Sequence, residues 1–351
     1  MRNPETRQLN SERIPLTLLT GFLGSGKTTL LRRYLESTKA GETAVIINEY
    51  GATQIDGDLV TFAGDTTAVR TTTGCLCCTI SGDVKEALLD LARAIETKTI
   101  RPFGHLIIET TGLADPISLI HAVTTDTEIC RHYQFKQTVT LIDAIHGEHW
   151  FERHAECRQQ IALADKILLT KTDLINDPVS RRETDQFILE LASFNPMADI
   201  LSSQTSETMS LLDPTNKTVT LQDMELTESI PHKHRDHHHH HGVNSYTLVL
   251  EKPIEQETLM ARLFALGETY GRDLLRVKGF VRTKGQNSAG SLLVQGVGGI
   301  MQFENCKWPP SSIRSELVFI TNALSQEEAY GQLFSPSERV NPSVAAEDVS
   351  S

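Results

Sequence analysis

The sequence predicts an α/β chain in two parts: a first domain with a mainly parallel sheet between helices, then a smaller α+β domain. Three observations carry this. Through the first 200 or so residues, short apolar runs of strand character alternate with helical stretches. From about 204 to 242 the composition shifts to Ser, Thr, Asp and Glu and then to His, as in a linker. From Ser245 the β pattern returns around a single amphipathic helix.

Taken in order, Leu16–Thr20 is a strand, followed by a glycine-rich turn and a helix to about Ser37. Thr43–Asn48 (TAVIIN), His105–Glu109 (HLIIE), Thr138–Asp143 (TVTLID) and Lys166–Thr170 (KILLT) read as further strands. Helical segments fall at 82–97, 115–122, 155–164 and 178–192. In the second part Ser245–Glu251 is a strand, and 255–268 a helix carrying Leu259, Leu263 and Leu266 on one face. Strand-like runs follow near 273–283, 291–296, 300–305 and 316–320. The expected layout is a tail at 1–13, a nucleotide domain at 14–212, a His-rich linker at 213–243, a C-terminal domain at 244–334 and a disordered tail at 335–351.

Composition narrows the class. Of 351 residues 39% are hydrophobic and 22% charged, enough for a core of about two domains. The net charge of −12 repels phosphate backbones, which disfavours nucleic-acid binding. No run of 18 apolar residues suggests a membrane span, and MRNPETRQLNSER has no apolar signal core, so a cytoplasmic location is expected. Within the six cysteines, Cys75, Cys77 and Cys78 fall in four residues. In a reducing compartment such clustering points to metal or redox chemistry.

Gly21-Phe-Leu-Gly24-Ser25-Gly26-Lys27-Thr28-Thr29 fits G-x-x-x-x-G-K-[ST] between a strand and a helix. The backbone N–H groups would cradle phosphates, Lys27 would neutralise the β- and γ-phosphates, and Thr28 would ligate Mg2+. Glu109 closes its strand where an acid can hold Mg2+, and Gly112 leaves room for an N–H near the γ-phosphate. Thr170-Lys171-Thr172-Asp173 resembles the guanine motif N-K-x-D, with Thr for Asn. Asp173 would accept from guanine N1–H and the 2-amino group, and Lys171 would lie along the base. The missing Asn is expected to weaken a contact that braces the loop. The nucleotide expected is therefore GTP, with Lys27, Thr28 and Glu109 carrying its hydrolysis.

Three thiolates at Cys75, Cys77 and Cys78 suit Zn2+ and need one more ligand for a tetrahedral site, which leaves binding exchangeable. Glu49, at the end of a strand between the phosphate loop and the cysteines, is a candidate metal ligand or Mg2+ partner.

These motifs together resemble the CobW-like metallochaperone GTPases, within the wider group of P-loop metal-insertion GTPases. The resemblance rests on GFLGSGKTT (21–29), INEYG (47–51), GCLCC (74–78), ETTGLADP (109–116), TKTD (170–173), the His-rich linker and LLRVKGFV…VQGVGG. It implies GTP hydrolysis coupled to movement of Zn2+, Co2+ or another metal to a client metalloprotein, and a C-terminal domain of the CobW type. Tyr50 and Ala52 stand where the family often has Phe and Glu, so a second carboxylate role is absent or falls to Asp56.

His232, His234 and His237–His241 would hold divalent ions weakly and unselectively, as a reservoir. His105, His121, His132, His146, His149 and His154, with Cys130, Cys157 and Cys306, read as packing or surface residues. The functional expectation is a GTP-hydrolysing metal chaperone in which GTP and Mg2+ order segment 49–80, with a homodimer as a candidate assembly. The alternative is a nucleotide-gated metal buffer or sensor with little turnover. A small-molecule kinase would need an acceptor pocket and a basic lid, and neither is visible.

Overall fold

A computed structural model of the chain describes residues 13–36, 43–47, 58–62, 69–71, 80–203, 211–212, 243–250, 252–284, 289–306 and 315–334. Six strands of the first domain are mutually parallel: β1 (Ile14–Gly21), β2 (Thr43–Ile47), β5 (His105–Glu109), β6 (Tyr133–Asp143), β7 (Lys166–Thr170) and β8 (Asp199–Ser202). β3 (Asp58–Phe62) and β4 (Val69–Thr71) extend the sheet antiparallel beyond β2. The order is β4-β3-β2-β5-β1-β6-β7-β8, which puts β1 between β5 and β6 near the middle.

The central strands are apolar on both faces because helices cover both faces. Leu16, Leu18, Leu106 and Ile108 enter one core, and Leu19, Ile107, Val139, Leu141 and Leu168 enter the other. The second core takes Leu30, Leu31 and Tyr34 from α1 (Lys27–Glu36). The larger core takes side chains from α2 (Ile80–Glu96), α3 (Pro116–Thr125), α4 (Ile129–His132), α5 (Gly147–Arg153), α6 (Ala155–Ala162) and α7 (Pro178–Phe194). Both α3 and α7 start on Pro after an Asp cap: Asp115 accepts from Ile117 N, and Asp177 from Val179 N and Ser180 N. Proline loses no useful donor at that position, and each capping carboxylate meets backbone N–H groups that the helix cannot pair.

In the second domain, β9 (Asn244–Leu250), β11 (Arg276–Lys284), β12 (Ala289–Val297), β13 (Ile300–Cys306) and β14 (Ser315–Thr321) form an antiparallel sheet in the order β13-β12-β11-β14-β9. A two-residue β10 (Ile254–Glu255) pairs with β11. Buried leucines of α8 (Gln256–Tyr270) and α9 (Gln326–Leu333) share a core with alternate residues of this sheet.

Several elements depart from the sequence expectation. β3, β4, β8 and α9 are additional, and so are the short α4 and α5. β6 starts at Tyr133, five residues before the expected Thr138; its added stretch carries half-buried and exposed residues between buried Tyr133 and Gln137 and pairs with a β1 that starts two residues before the expected Leu16. Among the described residues no helix is long and apolar enough to cross a membrane.

The two domains are bolted together. Leu275, Val297 and Ile320 of the second domain are buried within the first domain's core. Asp165, buried just before β7, accepts from the Thr138 backbone N–H at 2.9 Å and from Lys278 Nζ at 3.2 Å, and pairs with the buried Arg276. Burial disfavours the Asp165 charge, but Arg276, Lys278 and the Thr138 N–H outweigh it and hold the carboxyl below its usual range. A depressed carboxylate pKa stabilises the fold above the unfolded value of about 4 and loses that contribution as the pH falls through the folded pKa. Asp165→Asn should therefore cost about 3–5 kcal/mol at neutral pH, because it leaves Arg276 buried without its anion. The gap from wild type should narrow towards about pH 3, as urea unfolding at both pH values would read.

Candidate nucleotide-binding site

The phosphate loop grows directly out of β1. Gly21 closes the strand against β6, where an added Cβ would strike the Leu141 carbonyl. Gly24 (φ +73°) and Gly26 (φ +92°) take left-handed conformations that other residues avoid, and these turn backbone N–H groups inward. α1 then begins at Lys27, with Leu30 N donating to Gly26 O at 3.0 Å. The helix N-terminus adds its positive end to the cradle. Beneath the loop, Phe22 packs on Trp150 and His154, with ring centroids 5.5 and 4.6 Å apart.

The side chains expected to act here converge. Lys27 is buried, and its ammonium donates to Gly21 O (2.7 Å) and Phe22 O (3.2 Å), inside the curve of the loop. Thr28 Oγ1 donates to Glu109 Oε1 at 2.8 Å. Glu109 sits at the end of β5, in register with Leu19 of β1 and Ile47 of β2. Thr29 is exposed beside Thr28 on the first turn of α1. After Glu109 the chain is pinned to β1 by Thr110, through N–H to Leu19 O (3.0 Å) and Oγ1 to Thr20 Oγ1 (2.9 Å). Gly112 then presses on the phosphate loop: an added Cβ would lie 2.6 Å from Leu23 N and 2.8 Å from Leu23 Cα.

At the guanine-type motif a brace is made by the Thr hydroxyl. Thr170 Oγ1 lies 2.8 Å from Ser25 O and 3.2 Å from Ile142 O, so its hydroxyl ties β7 to the phosphate loop without the Asn amide. Lys171, at φ 59°, reaches Asp143 Oδ2 at 2.6 Å. Asp143 is nearly buried. Burial opposes its charge, but Lys171 and the N–H groups of Ile145 and His146 more than compensate and keep the carboxyl below its ordinary range. The sequence pattern did not single out Asp143, although it ends its strand at the same sheet edge as Thr170. Asp173 is exposed in the turn Thr172–Leu174, and Thr172 Oγ1 anchors that turn to Ser202 Oγ at 3.0 Å.

The metal residues expected from the sequence, Cys75, Cys77, Cys78 and Glu49, lie outside the described residues, as do Asp56 and the histidines of 232–241. Among the described residues no three His, Cys, Asp or Glu side chains gather as a metal site. Cys157 is packed in the core and its thiol is pushed up to about 12 by burial, so it is an inert side chain.

Fold and site together define a nucleotide-binding P-loop domain carrying an antiparallel-sheet partner. Residues 15–202 match the CobW/HypB/UreG nucleotide-binding domain, and 243–335 match the cobalamin synthesis protein cobW C-terminal domain. The chain belongs to the CobW family. It is 32% identical to the zinc chaperone YjiA of Escherichia coli, over 90% of this chain and 96% of that one. It is 27% identical to the zinc chaperone CobW of a Sinorhizobium species, over 92% and 97%. The crystal structure of Zn(II)-bound YjiA GTPase from E. coli superposes with a TM-score of 0.67 at 27% identity, covering 92% of this chain and 99% of that one.

The Thr170 brace has a measurable consequence. Thr170→Val keeps the shape and removes the hydroxyl, leaving Ser25 O without it. Titration calorimetry should show nucleotide affinity lowered several-fold, for a loss of about 1 kcal/mol, with unfolding stability changed by a similar amount.

Proposed function

We propose that this chain is a GTP-dependent zinc chaperone that hydrolyses GTP to GDP and phosphate and couples this to delivery of Zn2+, or Co2+ or another divalent metal, to a client metalloprotein. The observation that carries the reading is the meeting of Thr28, Glu109 and Gly112 at the phosphate loop, in a chain whose relatives along nine-tenths of its length are named zinc chaperones.

In this reading the N–H groups of Gly21, Gly24, Ser25 and Gly26 receive the phosphates, and Lys27 leaves its loop carbonyls for the β- and γ-oxygens. Thr28 and Glu109 offer hydroxyl and carboxylate oxygens 2.8 Å apart, a hard donor set that fits Mg2+. Mg2+ held there supplies charge neutralisation at the β- and γ-phosphate oxygens. Asp173, with Lys171 held on Asp143, selects guanine by accepting from N1–H and the 2-amino group. Cys75, Cys77 and Cys78 hold the cargo as thiolates, with Glu49 as a candidate fourth ligand and the 232–241 histidines as a capture tract.

Phosphate release from GTP should be measured with Zn2+, Co2+, Ni2+ and Fe2+ in turn. Lys27→Ala should lower kcat by about 10²–10³-fold, and wild-type turnover should respond to the cargo metal. The combined Cys75→Ser, Cys77→Ser and Cys78→Ser variant should keep basal turnover but lose tight Zn2+ binding and the metal response. Tight metal binding without turnover in the wild type would replace a chaperone with a buffer.

A further inference from the structure

α6 carries a polar side chain into the space behind the phosphate loop. Gln160 is fully buried, at 0% exposure. Its Nε2 donates to Gly112 O at 3.1 Å and to Ala114 O at 3.2 Å, and its backbone carbonyl accepts from Thr140 Oγ1 of β6 at 2.9 Å. Two carbonyls can only be met by the donor end of the amide, which fixes its orientation. The adjacent Gln159 Nε2 reaches Asp115 Oδ1 at 3.0 Å. α6 thus holds the 112–115 segment at three points.

The other end of the amide gains nothing. Gln160 Oε1 is buried and takes no hydrogen bond among the described residues; the side chain lines the small cavity under the loop that Ser25 and Phe22 also line. The unmet acceptor is a cost, set against the two carbonyls that the donor end satisfies and that an apolar side chain would leave unmet, so the amide is tied to the 112–114 turn it bridges. Its effect is directional. In a trans peptide the C=O and N–H point opposite ways. Gly112 O is drawn towards α6, so the Leu113 N–H turns away from it. Thr111 O accepts from Ala114 N at 3.2 Å, so the Gly112 N–H is likewise turned outward.

We propose that Gln160 is a positioning residue for GTP hydrolysis: by gripping Gly112 O and Ala114 O it holds in place the turn that the Thr111 O to Ala114 N bond closes, and with it the Gly112 N–H that meets the γ-phosphate. The proposal rests on the GTPase reading above. It predicts an effect on GTP that GDP does not share, because GDP has no γ-phosphate for that N–H to meet.

The test uses the full chain with Gln160→Met, which keeps length and bulk but cannot donate, and Gln160→Asn, which keeps an amide one methylene too short. Affinities for GDP and for GTPγS are read by calorimetry, turnover by phosphate release, and folding by thermal melting. Both variants should melt below wild type yet stay folded at the assay temperature and bind GDP within about twofold of wild type, while GTPγS affinity drops and kcat falls about 10- to 100-fold. Equal weakening of GDP and GTPγS, or unchanged kcat in a folded variant, overturns the positioning role alone. A wild-type chain that binds no GTP overturns the GTPase reading and this role with it.

Discussion

At the phosphate loop the backbone itself is the ligand, so the chain must turn tightly enough to gather its N–H groups in one place. Gly24 and Gly26 meet that demand with left-handed conformations, and Gly21 meets it by lying flat against β6. Such a loop has little side-chain bulk to hold it, and its shape is imposed from outside. Thr170 grips it from β7, Phe22 anchors it on Trp150 and His154, and Gly112 presses on it from the strand beyond Glu109. Two of these supports, Thr170 and Gly112, come from the carboxyl edge of a strand or its following loop, where parallel sheets place their ligands, and the third comes from α5. The central position of β1 follows: only a strand flanked on both sides can be buttressed in this way.

From Gly112 a continuous path leads to the second domain. Asp115 caps α3, and Arg272 of the second domain lies 3.8 Å from its carboxylate. Further along α3, His121 Nε2 meets Gly298 O at 2.8 Å in the turn between β12 and β13. The exposed Arg272 pair contributes little by itself. The packed contact at Gly298 has more mechanical weight, since the turn sits against Ile117 and His121 with no room for a side chain. A shift of the 112–115 segment would be felt at that turn.

Much of this was legible in the sequence where the physics is local. The phosphate loop needs glycines, a lysine and a hydroxyl at fixed spacing, and strands buried on both faces show as unbroken apolar runs such as HLIIE and KILLT. The outlying strands β3, β4 and β8 escaped because they are short and carry polar residues. α9 left a readable sign, the capping box of Ser325 and Glu328, just before a short helix. Asp143, Gln160 and the Asp165–Arg276 pair are different in kind. Gln160 meets Gly112 across 48 residues and Arg276 meets Asp165 across 111, and no local pattern encodes such a meeting. The thiol and histidine tracts show the reverse: composition makes them conspicuous, and they fall outside the described residues.

The buried Asp165 also bears on how such a chain could be divided. A first domain cut away from the second would carry a carboxylate stripped of Arg276 and Lys278 and a core missing Leu275, Val297 and Ile320. The linker invites a view of two modules on a string, yet the charge at the base of β7 ties their fates together. Recombining either half with a foreign partner would require rebuilding that contact, so the unit that can be inherited or transplanted is the pair of domains.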